Sequence, residues 1–90
     1  YLDLARHANA LAASLREGIA HLGYAFAYDS PSNQLFPIFP NSIVEALSQS
    51  YRFTIDAPLD GGYTRVRLVV SWATRQEDVD QFLKDLSKLS

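Results

Sequence analysis

Along residues 2–22, apolar side chains recur every three or four positions: Leu2, Ala5, Ala8, Ala12, Leu15, Ile19 and Leu22. That spacing predicts an amphipathic helix, widened by Leu4, Leu11 and Gly18 and closed by Gly23 as its C-terminal cap. Its many alanines favour helix and permit close approach by another element. A stripe this long leads us to expect a partner beyond the chain. The pattern then changes period. In "YAFAYD", Tyr24, Phe26 and Tyr28 alternate with Ala25 and Ala27, which predicts a strand with one heavy face. "DSPSN" has turn chemistry. "QLFPIFP" reads as a second strand, with Pro37 arguing for an edge or a bulge because it lacks an N–H.

Ser42 and Glu45 match a capping box, and Ile43, Val44 and Leu47 give a short amphipathic helix behind it. Tyr51, Phe53 and Ile55 alternate on a third strand. "APLDGG" should then turn the chain back into a fourth as an antiparallel hairpin. Thr74 with Glu77 is a second capping box, and Asp78 adds a favourable charge in the first turn. Val79, Phe82, Leu83, Leu86 and Leu89 mark the last helix. The expected class is α+β: a small, mostly antiparallel sheet of about four strands with helices packed on it, in the order α-β-β-α-β-β-α.

Ninety residues with 48% apolar content suit one domain. A net charge of −2 lacks the basic excess of a nucleic-acid binder. No run approaches the length of a membrane span, and the first residues do not read as a signal peptide. A cytoplasmic location without membrane or nucleic-acid partners is therefore expected. Without cysteine, neither a disulfide nor a thiolate metal site is possible. Methionine is absent even at position 1, from which a fragment or a processed chain is expected.

The chemistry-bearing anomaly is "TRVRLVVSW". On a strand, Val66, Leu68, Val70 and Trp72 point to one face, and Tyr63, Arg65, Arg67, Val69 and Ser71 to the other. The arginines either lie over a solvated face with wet heads, or one of them grips a carboxylate or phosphate through its planar fork. Periodicity leaves both readings open. Other candidates are weaker. His7 and His21 have no third ligand at metal spacing, and Asp29, Asp56 and Asp60 suit turn capping. Ser71 has no His and Asp arrangement around it. Gly61-Gly62 is a hairpin device and lacks the setting of a phosphate cradle. The aromatics lack the basic stripe of a base-stacking platform. Lys84 and Lys88 fall on the polar face of the last helix, which disfavours a Schiff-base lysine here.

Taken in order, "RHANALAASLREGIAHLG", "SNQLFPIFP" and "VRLVVSWATRQEDVDQFLKDL" resemble the C-terminal small domain of the low-specificity threonine aldolase and beta-eliminating lyase family, fold-type I enzymes dependent on pyridoxal 5'-phosphate. The resemblance covers nearly all of the chain. It is most specific at Arg67-Leu68-Val69-Val70-Ser71-Trp72, with Thr74 and the Glu77-Asp78-Val79-Asp80 helix start. It implies that residues 1–90 are a small domain whose large domain, absent from this sequence, holds the cofactor and its lysine. It further implies cleavage of a beta-hydroxy amino acid, threonine to glycine and acetaldehyde, in a homo-oligomer.

By the same resemblance Arg67 binds the substrate alpha-carboxylate, and Arg65 belongs to the rim or a domain contact and is a cleft-lining candidate. Asn33 likewise starts an edge strand as a structural residue and a cleft-lining candidate, with no catalytic residue expected in the chain. The 90 residues alone are expected to be inactive, with the first helix packed on the large domain. Pro37 and the loosely matching "FPNSIVEAL" depart from the family pattern. Competing readings are another fold-type I beta-eliminating lyase, racemase or transferase, or a non-enzymatic ligand-sensing or interaction domain.

Overall fold

A computed structural model of the chain describes residues 4–28, 33–71 and 74–90, without the side chains of residues 4 and 5. The expected positions of Leu2, of the turn residues 29–32 and of Trp72 lie outside the described residues, as do the side-chain placements of Leu4 and Ala5. Three helices, α1 (Leu4–His21), α2 (Asn41–Ser48) and α3 (Gln76–Leu89), accompany five strands. The strands are β1 (Ala25–Phe26), β2 (Gln34–Leu35), β3 (Pro37–Pro40), β4 (Thr54–Leu59) and β5 (Tyr63–Val69). Every pairing is antiparallel, so the α+β class stands.

The sheet is organised around β5. One register pairs it with β2 (Leu35 with Leu68) and continues into β3 (Ile38 with Arg65). β1 lies outside β3, and β4 runs along the other edge of β5. The expected single strand from Gln34 to Pro40 is thus two short ones, broken at Phe36. Pro37 is neither on an edge strand nor in a bulge; it is the first residue of β3, one of the few sheet positions where a missing N–H is tolerated. The β4–β5 hairpin forms as expected, turning through Gly61 (φ 81°) and Gly62 (φ 85°), a left-handed conformation that a Cβ would disfavour.

Alternation along β5 sorts the two faces. Val66, Leu68 and Val70 are buried beneath the helices together with Leu35 and Phe39. Ala8, Leu11, Ala12, Leu15 and Ile19 of α1 close over them with Val79, Phe82 and Leu86 of α3. From Ala8 onward, then, the stripe expected to need an outside partner is covered within the chain. The helices meet closely at Gly18, where a Cβ would come within 2.4 Å of Leu83 Cδ1. No helix among the described residues is long and apolar enough to cross a membrane.

Three local expectations are corrected. α2 starts at Asn41 behind Pro40, with no side-chain cap from Ser42. The Asn41 side chain instead accepts a hydrogen bond from the Thr64 hydroxyl, tying the helix start to β5. The box at α3 is displaced by one residue: the Asp78 carboxylate accepts the Arg75 N–H at 3.0 Å, because Thr74 Oγ1 is occupied by the Ser71 N–H. Finally, Tyr24, Phe26 and Tyr28 do not share a face. Tyr24 meets the core residue Phe39 edge-on, and Phe26 packs on the core. The strand ends after Phe26, and Tyr28 sits against Phe36.

Candidate functional site

With all three helices on one side, the opposite face of the sheet is bare of helices among the described residues. Tyr63, Arg67 and Val69 are exposed there, and Arg65 is half-buried. A mid-strand position gives both arginines a rigid base, and two residues along a strand separate their Cα atoms by roughly 7 Å. Their neighbours differ. Arg65 stands between Ile38 of β3 and Ala57 of β4. Arg67 pairs with Thr54, and the register running from Leu35–Leu68 to Ile38–Arg65 sets Phe36 on its other side.

One extra residue in β4 decides the electrostatics. Between Ile55 and Ala57 the register with β5 shifts, so Asp56 is the bulged residue. Its carboxylate takes the Arg65 Nε–H at 2.5 Å. The Arg65 guanidinium carbon also lies 5.2 Å from the centre of the Tyr28 ring, and Tyr28 in turn meets Phe36 edge-on. Arg65 is therefore held between a carboxylate and an aromatic face. Arg67 has no hydrogen-bonding or ionic partner among the described residues. Sequence reasoning assigned Asp56 to turn capping. The alternation carried no signal for the bulge, because Ala57 and Leu59 continue the period of Tyr51, Phe53 and Ile55.

Asn33 is engaged in structure. Its Nδ2 donates to Val70 O at 2.6 Å, and its own carbonyl accepts the Val70 N–H at 2.9 Å. This double link fastens the entrance of β2 to the exit of β5. His7 Nε2 lies 3.0 Å from Thr74 O, connecting α1 to the residues leading into α3, and His21 is exposed. No group of three His, Asp or Glu residues with metal-binding geometry occurs among the described residues.

The other perturbed groups lie on the helical side. The Tyr51 hydroxyl donates to Asp85 Oδ2 at 2.5 Å. Burial, reinforced by that bond and by the carboxylate charge, pushes the Tyr51 pKa up to about 12. The same bond, with help from Gln81 and the lysines Lys88 and Lys84, holds Asp85 below the usual carboxylate range. A pocket of about 380 Å³ also opens on this side, walled by Leu15, Phe53, Leu68, Val70 and Phe82 with Arg52 among its polar residues. Neither Arg65 nor Arg67 lines it. The bare face, with one engaged and one available guanidinium, remains the arrangement with chemistry to offer. It can take an anion against Arg67 by a bidentate contact.

Among solved structures, the chain is similar to Leishmania major threonine aldolase, with a TM-score of 0.88 and 36% sequence identity over 92% of this chain and 24% of that one. Its fold is also similar to that of Sphingomonas wittichii serine palmitoyltransferase, with a TM-score of 0.73 and 17% identity over 92% of this chain and 23% of the other. The chain thus spans about a quarter of the length of each. No family model matches it, and neither does a curated protein. The resemblance drawn from the sequence motifs therefore has a counterpart in both the sequence and the fold of a threonine aldolase.

Proposed function

We propose that this chain is the C-terminal small domain of a pyridoxal 5'-phosphate-dependent lyase that cleaves beta-hydroxy amino acids, threonine to glycine and acetaldehyde, and that Arg67 binds the substrate alpha-carboxylate. The observation that carries the reading is Arg67 itself: an exposed guanidinium on a rigid strand, in a domain similar over 92% of its length to part of a threonine aldolase. A carboxylate held by a planar fork has its Cα fixed in direction, so binding energy becomes alignment of the bond to be cleaved. The apolar neighbours Val69 and Phe36 favour that contact by lowering the local polarity.

The cofactor does not fit this chain. Its two lysines, Lys84 and Lys88, are both exposed on α3, so neither is desolvated as a Schiff-base lysine requires. Pyridoxal phosphate and its lysine are assigned to a large domain of the same polypeptide, against which the bare sheet face would close, in a homo-oligomeric enzyme. A second reading, another pyridoxal phosphate enzyme acting on an amino acid, is favoured by the shared fold with a serine palmitoyltransferase.

The deciding experiment is an assay of the full-length gene product with threonine, following acetaldehyde and glycine in the presence of pyridoxal phosphate. Stoichiometric release of both supports the lyase. Turnover of amino acids without aldehyde release moves the protein to the second reading, and a gene product without a cofactor-binding domain removes both.

A further inference from the structure

The pairing of Asp56 with Arg65 has a consequence for which anions the bare face accepts. Two guanidinium groups two residues apart on one strand face would together form a dianion site, since each fork can take one carboxylate. The β4 bulge prevents this by delivering the Asp56 carboxylate to the Nε edge of Arg65. Tyr28 lies against the same guanidinium. Asp56, Arg65 and Tyr28 form a strap across the face beside Arg67, neutral in sum. Both members of the ion pair are partly shielded, with side-chain exposures of 24% for Arg65 and 32% for Asp56.

We propose that Asp56 is a specificity-determining residue: by engaging Arg65 it leaves Arg67 as the single anion-binding group and restricts the face to ligands that present one carboxylate. The proposal rests on the reading of Arg67 as the carboxylate-binding residue. Without Asp56, Arg65 keeps its place on the strand and its contact with Tyr28 but regains an unpaired charge and a free Nε–H. The face then accepts a second carboxylate roughly 7 Å along the strand. A ligand bearing a side-chain carboxylate, such as an acidic amino acid, is excluded in the native protein because its second charge meets the Asp56 carboxylate and a guanidinium whose charge is already paired.

The test is an NMR titration of the 90-residue chain with acetate and with succinate at constant, low ionic strength, observing the arginine Nε–H resonances. In the native chain both anions should shift Arg67 with similar affinity and leave Arg65 unmoved. In Asp56→Asn, succinate should shift both arginines and bind about fivefold more tightly than acetate, the gain expected from one additional solvent-exposed charge pair. The double variant Asp56→Asn/Arg65→Gln should return to native selectivity, which separates a charge effect from a loosened bulge. An unchanged succinate-to-acetate ratio in Asp56→Asn, with Arg67 still responding, overturns the role of Asp56 and leaves the function of Arg67 standing. Absence of any Arg67 response in the native chain overturns both.

Discussion

Arg65 and Arg67 project from the same face of β5, yet among the described residues only Arg65 meets a carboxylate, because the bulge in β4 places Asp56 beside it. Two residues that strand periodicity makes equivalent are thereby given opposite duties. One fastens the sheet, and the other meets no partner among the described residues.

Replacing the open one should be felt in catalysis. On the proposed reading, Arg67→Ala in the full-length gene product is expected to raise KM for threonine and lower kcat/KM, a loss of about 2–5 kcal/mol of transition-state binding for a charge-assisted contact. Steady-state kinetics with threonine decide it, and native values in the variant would remove Arg67 from the site. Circular dichroism of the variant should match the native protein, since Arg67 is exposed and bonded to nothing among the described residues.

The contact between α1 and α3 makes a stability prediction. Any Cβ at Gly18 enters the space of Leu83, and its terminal methyls can swing aside for a methyl group but not for a larger side chain. Gly18→Leu should therefore cost about 1–3 kcal/mol through overpacking, despite the better helix propensity of leucine. Chemical denaturation measures this, and an unchanged midpoint would show that the helices are not closely apposed.

Asn33→Ala removes the side-chain half of the double link to Val70 and keeps the backbone half. The expected loss is about 1 kcal/mol, typical of one hydrogen bond. Amide exchange should quicken at the β2–β5 end and remain native at the β4–β5 hairpin. Uniform acceleration would mean that Asn33 acts on global stability alone.

The Tyr51–Asp85 hydrogen bond predicts how stability changes at both ends of the pH scale. The Asp85 pKa is depressed in the folded state, so its contribution is present above the unfolded carboxylate value and is lost as pH falls through the folded one. The Tyr51 pKa is raised to about 12, so its contribution is complete below pH 10 and declines as pH rises towards 12. Tyr51→Phe should flatten the alkaline limb of Tm against pH between 10 and 12. An identical limb in the variant would assign the alkaline loss to other groups.

The three helices, the β4–β5 hairpin and the core face of β5 were legible because hydrophobic period and burial coincide there: Ile19, Val66, Phe82 and Leu86 are all buried where the pattern puts them. Capping was less legible. Thr74 and Ser42 have the right chemistry, but Thr74 Oγ1 is taken by the Ser71 N–H, and α2 begins behind Pro40 with no side-chain cap. The break at Phe36 and the bulge at Asp56 depend on how strands align with β5, which a single strand's sequence does not encode. The candidate site was legible only as far as two arginines on one face. Their difference arises from a residue nine positions away that sequence spacing does not connect with them.

Because β5 pairs with β2, β3 and β4, the strand that unites the sheet is the last of the described strands. Before β5 is made, β1 can pair with β3, but β2 and β4 have no partner until residue 69 has left the ribosome. Completion of the sheet then waits on β5, through contacts between distant residues, and is correspondingly slow. A polypeptide truncated before Tyr63 would lose the hub as well as an edge, and should emerge as a target for proteolysis rather than as a smaller version of the domain.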